Sequence, residues 1–215
     1  MHQRILVYGD SLSWGIIPES RDRLGLTERW PGVLHSSLQN LGLRVQVIEN
    51  CLNGRTTNWD DPQKAGRNGL VGVQQVIESN VPLELVILML GSNDFQSGRA
   101  RCAGESASGI ARLVDAIRKS PIEASMSIPP TLVVTPPPIT EPKGWIATEF
   151  GDAAERSVGL ANAYKDVAND HGCTFFDSAS VITTSIVDGV HLDVEQHRLL
   201  GRAIAQEVTS CLPPD

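Results

Sequence analysis

The stretch Leu85-Val86-Ile87-Leu88-Met89-Leu90 is apolar at every position and runs directly into Gly91-Ser92-Asn93-Asp94. A strand without polar alternation is one covered on both faces, which is the signature of a parallel sheet. Shorter candidate strands occupy residues 5–8, 45–48, 132–135 and 174–176. Between them the apolar period changes to that of a helix. Trp30, Val33, Leu34, Leu38 and Leu41 share one face, with Pro31 near the start and Gly42 just past the end. Ile110, Leu113, Val114 and Ile117 repeat at helical spacing until Pro121. One helix is predicted over 153–171, stopped by Gly172. Another follows Asp193, an N-cap with Gln196 at the third helical position, and buries Leu199, Leu200, Ala203, Ile204 and Val208. Strands alternating with helices imply an α/β fold: a five-stranded parallel sheet, doubly wound and flavodoxin-like, with helices on both faces. Ligands of such sheets bind at the C-terminal strand ends, so polar residues just after strands are the place to look for chemistry.

The 215 residues carry 18 Lys+Arg against 25 Asp+Glu, a net charge of −7, with 41% hydrophobic and 20% charged residues. That is ordinary globular composition for one domain spanning 1–215. An acidic chain without basic clusters is a poor nucleic-acid binder, because that affinity comes from neutralising phosphates. No apolar run approaches the ~20 residues that span a bilayer, so no membrane partner is expected. The start, Met1-His2-Gln3-Arg4-Ile5-Leu6-Val7-Tyr8-Gly9, has too short an apolar run for a signal peptide, and a cytoplasmic location is expected. Cys51, Cys102, Cys173 and Cys211 are widely spaced and read as reduced, mostly buried thiols. The proline cluster at 136–138 reads as a stiff surface loop.

Four polar sites stand out. Gly9-Asp10-Ser11 follows the first strand, Asn50-Cys51-Leu52-Asn53-Gly54 follows the second, Gly91-Ser92-Asn93-Asp94 follows the third, and Asp188-Gly189-Val190-His191 precedes the last helix. Together they can perform acyl transfer. A serine hydroxyl needs a base at neutral pH, and imidazole, with an unperturbed pKa of ~6.5, suits that role. The imidazole needs an acceptor to fix its tautomer and stabilise its cation. Asp188, three residues before His191, has the spacing to provide it. The tetrahedral oxyanion needs donors, for which the candidates are the backbone N–H groups of Ser11 and Gly54 and the side-chain amide of Asn93.

The constellation resembles the SGNH (GDSL) hydrolase family, whose four letters correspond here to Ser11, Gly54, Asn93 and His191, with Asp188 completing the D-x-x-H block. The likeness extends to Arg29-Trp30-Pro31-Gly32-Val33-Leu34, Arg55-Thr56-Thr57-Asn58-Trp59-Asp60-Asp61-Pro62 and Val133-Val134-Thr135-Pro136-Pro137-Pro138, which are similar to the bacterial arylesterase/acyltransferase branch. The resemblance implies a three-layer α/β/α sandwich and a serine esterase acting on small aryl or alkyl esters of acetyl or short acyl groups. It further implies acyl transfer to alcohols or peroxide, no metal or organic cofactor, and a homo-oligomer. Thioesterase or carbohydrate-acetyl esterase activity on the same scaffold is the alternative. From another class, a flavin-binding module would use the loop at Asp10–Gly15 for phosphate, against the charge of Asp10.

Each residue also has a plainer reading. Ser11 could cap the first helix. Asn93 and Asp94 could form an Asx-turn, with Asp94 and Asp10 structural. His2 and His35 read as surface residues, His171 as a cation at a helix end, and His197 as exposed or half-packed. Leu12, Trp14, Ser92 and Val190 flank the blocks and are candidates for an acyl pocket. The polar segments 18–28 and 59–69 have no assigned role.

Overall fold

A computed structural model describes residues 3–99 and 101–212, so the expectation for His2 lies outside the described residues. Five strands form one parallel sheet: β1 (Gln3–Gly9), β2 (Val45–Cys51), β3 (Leu85–Met89), β4 (Thr131–Thr135) and β5 (Thr174–Asp177), in the order β2-β1-β3-β4-β5. The chain winds from β1 to β2, then returns past β1 to continue in the other direction. The switch point therefore lies between β1 and β3, where Gly9 is level with Met89 on one side and with Cys51 on the other. Two residues beyond Gly9 comes Ser11, three beyond Cys51 comes Gly54, and four beyond Met89 comes Asn93.

Alternate residues of the strands feed two cores. Leu6, Tyr8, Val86, Leu88 and Val133 face one layer, built by α3 (Gly69–Asn80), α4 (Ala103–Arg118) and α7 (Leu160–Asp170). Ile5, Val7, Ile87, Leu132 and Val134 face the other, built by α2 (Trp30–Asn40) and α8 (Val194–Cys211). The result is the expected α/β/α sandwich. Short helices α1 (Ser11–Trp14), α5 (Ala147–Phe150) and α6 (Ala153–Arg156) lie in the connections. Among the described residues no helix is long and apolar enough to cross a membrane.

Several local expectations are corrected. The helix over 153–171 is two helices, because Gly159 takes a left-handed φ of 86° and α7 restarts there. Asp193 begins α8 but makes no side-chain cap; its Oδ1 accepts from Ser185 Oγ at 2.8 Å, and Gln196 Oε1 accepts from Thr183 N–H. Leu199 is 38% exposed rather than core. The four cysteines are free thiols, three half-buried and Cys102 exposed. His197 is fully buried, and its Nδ1 accepts from the Trp30 N–H at the start of α2. A donor left over at a helix N-terminus thus finds its acceptor on the neighbouring helix.

Two outcomes follow from the packing of α2 on α8. A Cβ at Gly201 would sit 2.7 Å from both the Trp30 carbonyl and Val33 Cβ, so Gly201→Ala should cost roughly 1–3 kcal/mol in denaturant unfolding. Burial, with the nearby His191 and Arg29 adding, holds His197 down at about 3. The unfolded chain takes up this proton near ~6.5 while the folded chain does not until about 3, so His197 withdraws stability as pH falls from ~6.5 toward 3. The slope approaches about 1.4 kcal/mol per pH unit. The stability of the parent relative to His197→Asn, which keeps an acceptor for Trp30, should therefore fall between pH 7 and pH 4.

Candidate active site

The turn after β1 begins with a buried carboxylate. Asp10, not Ser11, caps α1: its Oδ1 accepts from Leu12 N–H at 3.0 Å. Ser11 is thereby freed to be the first helical residue of α1. Among the described residues neither the Ser11 nor the Gly54 N–H has a protein acceptor. Gly54 holds a φ of 78°, which a side chain resists. Its neighbour Arg55 fixes it from behind. The Arg55 guanidinium is buried over the Tyr8 ring at 4.1 Å and donates to the Gly9 and Asn50 carbonyls at 3.0 and 2.6 Å.

After β3, Asn93 Nδ2 donates to Asp10 Oδ2 at 3.0 Å and to the Arg55 carbonyl at 3.1 Å, while its Oδ1 accepts from Gln96. The amide therefore lies between the β1 and β2 turns, its hydrogens shared with both. A further oxyanion acceptor would have to share one of them. The structural reading of Asp94 is what the geometry shows. Its carboxylate accepts from Thr57 N–H and Oγ1 and from Ser106 Oγ, at 2.7–2.9 Å, tying the β2–α3 connection to α4. Desolvation raises Asp10 to about 7 and Asp94 to about 6, against the hydrogen bonds each accepts.

The fourth site is a loop pinned at many points. Asp188 Oδ1 accepts from the Val190 and His191 N–H groups, each at 2.9 Å, and Asp188 Oδ2 lies 2.6 Å from His191 Nδ1. Burial alone would raise the Asp188 carboxyl. The hydrogen bond and charge of His191 and the two backbone N–H groups outweigh it and hold the carboxyl below the usual range. An ionised Asp188 requires the proton on Nδ1, leaving Nε2 as the basic nitrogen. Gly189 is required here, since a side chain would collide with the Glu141 carbonyl. The Thr140 N–H bonds to Gly189 O, and Ser185 N–H to His191 O, closing the loop.

Ser11, Gly54, Asn93 and His191 line one cavity of about 240 Å³, and Asp188 stands behind His191. The four stretches separated along the chain are thus brought together at the switch point. The flanking residues are not. Leu12 lies in the α2/α8 core and Val190 in the opposite core. Trp14 carries Arg23 over its ring at 4.8 Å. Ser92 lines a separate, larger cavity of about 380 Å³ against Thr135 and the prolines at 136–138. None of the four lines the cavity of Ser11. Its outer wall comes instead from Ile16, Arg21, Lys64, Arg67, Trp145, Ile146, Glu149 and Phe150, which sequence spacing did not single out. Apart from Ile16, they lie in the polar segments 18–28 and 59–69 and around α5, where no periodicity marks them. The phosphate reading of the β1 turn also fails, because Asp10 already occupies the Leu12 N–H.

The shared amide of Asn93 generates a graded expectation. Asn93→Ala should lower kcat for ester turnover by ~10²–10³-fold, and a loss below threefold would remove Asn93 from the oxyanion site. Asp10→Asn faces the Asn93 amide with donors in place of an acceptor. It should lower kcat by roughly tenfold while leaving KM nearly unchanged.

Residues 7–199 match the GDSL-like lipase/acylhydrolase family. An aryl esterase of M. smegmatis, solved with an inhibitor, is 36% identical, with 98% of this chain and 100% of that one covered and a TM-score of 0.92. Est24, a carbohydrate acetylesterase from Sinorhizobium meliloti, is 35% identical over 97% and 99% of the two chains, with a TM-score of 0.90. A putative arylesterase from Agrobacterium tumefaciens is 36% identical over 98% and 100%, with a TM-score of 0.90. No match was found among proteins of curated function. With the family's sequence pattern running through nearly the whole chain and this sheet beneath it, the protein is an ester-hydrolysing enzyme and belongs to the GDSL-like lipase/acylhydrolase family.

Proposed function

We propose that the protein is a serine esterase of small carboxylic esters, aryl or alkyl, with acetyl or short acyl groups. The observation that carries this reading is the convergence of Ser11 with a buried His191–Asp188 pair beside two open backbone donors. Ser11 Oγ attacks the ester carbonyl carbon and its proton passes to His191 Nε2. Asp188, accepting from Nδ1–H, stabilises the imidazolium that forms. The N–H groups of Ser11 and Gly54 and the amide of Asn93 receive the oxyanion. Collapse of the tetrahedral species breaks the bond to the alcohol oxygen, which takes the proton back from His191. The acyl-enzyme is then released by water, through the same base in reverse.

An alcohol or hydrogen peroxide entering in place of water would give acyl transfer or perhydrolysis. The apolar side chains of Ile16, Trp145, Ile146 and Phe150 in the cavity wall support this by offering an organic acceptor a surface that water does not use. Hydrolysis of acetylated carbohydrate is a second reading, favoured by the likeness to Est24 and by Asn53 and Gln96 in the wall. The exposed side chains of Ile186 and Val187, next to the catalytic loop, support a homo-oligomer, and the free thiols support a cytoplasmic setting.

The test is a nitrophenyl ester chain-length series run with and without an added alcohol. Acetate should be the preferred acyl group, and the alcohol should divert product from acid to new ester. Ser11→Ala should lower turnover by roughly 10⁴-fold or more while thermal unfolding stays nearly unchanged. Retained turnover in that variant would end the proposal.

A further inference from the structure

The walls of the catalytic cavity carry three cations, Arg21, Lys64 and Arg67, against the single carboxylate of Glu149. The chain as a whole has a net charge of −7, so this is a local reversal of sign. Elsewhere Arg23 and Arg29 bond to Glu49, Arg99 to Asp61, Arg101 to Glu105 and Arg156 to Asp152. At the cavity, none of the three cations forms an ion pair among the described residues.

Arg21 and Arg67 are held where they are by something other than a carboxylate, while the Lys64 backbone N–H donates to Asp61 Oδ1 at 3.0 Å. Arg67 lies against Gly54, since a Cβ there would come 3.8 Å from Arg67 Nε. Its Nη1 donates to the Ala65 carbonyl, and Nε is buried with no partner. The Arg67 backbone is fixed by Thr56 N–H donating to its carbonyl at 2.9 Å. Arg21 takes a φ of 63°, a conformation costly for a residue with a side chain, and its guanidinium lies 4.3 Å from the centre of the Trp145 ring. Backbone strain of this kind persists where the surroundings impose it, and it clusters at ligand-binding positions. Lys64 stands on a turn whose Asp61 already bonds to Arg99. An unpaired donor inside a cavity is satisfied when a ligand brings the missing acceptor.

We propose that the catalytic cavity takes esters that carry an anionic group, a carboxylate or phosphate, which Arg67, Lys64 and Arg21 receive while Ser11 attacks the ester carbonyl. This rests on the esterase reading and names the substrate class within it. Arg67 and Lys64 act as specificity determinants, through an attraction that a neutral ester does not feel.

The experiment uses two matched pairs of esters. On the acyl side, 4-nitrophenyl hemisuccinate is compared with 4-nitrophenyl butyrate. On the alcohol side, 4-acetoxybenzoate is compared with its methyl ester. The quantity read is the ratio of kcat/KM for the anionic ester to that for its neutral partner. In at least one pair, Arg67→Gln and Lys64→Gln should each lower this ratio roughly fivefold. Raising NaCl from about 0.05 to about 0.5 M should lower it in the parent enzyme as well. Lys64 is exposed, so its variant serves should Arg67→Gln fail to fold. Ratios within twofold of the parent in both pairs would overturn the proposal. So would an equal loss on charged and neutral esters, which would place Arg67 at the oxyanion instead. Absence of turnover on all four esters would overturn the esterase reading itself.

Discussion

The carboxylate of Asp10 ties together two chain ends that the sheet only brings near each other. One oxygen holds the first turn of α1, which presents Ser11. The other holds the amide of Asn93, which stands at the end of β3. Asp10 and Asn93 are 83 positions apart in the chain. A buried carboxylate is costly unless its oxygens are satisfied, and here both are, by donors that belong to the site. The same desolvation that pushes Asp10 up to about 7 strengthens the hydrogen bonds it accepts while it is ionised. Ser11 and Asn93 are therefore positioned by one group, and displacing either one strains the other.

A second carboxylate repeats the device one layer out. Asp94 gathers Thr57 and Ser106, and Ser106 Oγ lies 2.7 Å from Tyr164 Oη, which in turn donates to the Leu90 carbonyl. The network links the β2–α3 connection, α4, α7 and the end of β3. The C-terminal edge of the sheet is thus stiffened by buried polar contacts at the level where apolar packing stops. Rigid support of this kind is what oxyanion stabilisation requires, because donors that must reorient at the moment of reaction lose much of their effect.

The strands, their parallel arrangement and the four polar sites were legible in the sequence because each is a local signal. Continuous apolar runs mark strands buried on both faces, and Gly9-Asp10-Ser11, Asn93 and Asp188-Gly189-Val190-His191 sit where a doubly wound sheet puts ligands. The second role of Asp10 was not legible, since its bond to Asn93 is set by the register of β1 on β3. The capping signals at Asp193 and Gln196 misled for a related reason. Both side chains are good caps in isolation, but tertiary structure spends them on Ser185 and Thr183, fastening the loop that ends at His191. His197 read as exposed or half-packed because nothing local announces that the start of α2 needs an acceptor there. The flanking residues Leu12, Trp14, Ser92 and Val190 failed as pocket candidates because neighbours in sequence on a tight turn point in different directions.

The cavity is therefore built in two halves with different physics. Its inner half hangs on strand ends, and each group there is held by hydrogen bonds to another strand's turn. Its outer half, from Arg21 through Lys64 and Arg67 to α5, hangs on turns and a four-residue helix whose cavity-lining charges form no ion pair among the described residues. Such segments change without disturbing the sheet, while the inner groups are fixed by one another. Chemistry common to a family belongs on the first half, and the choice of substrate on the second. An esterase of this design alters its preference by exchanging charges and rings on the outer wall, leaving Ser11, Gly54, Asn93, Asp188 and His191 where the strands put them.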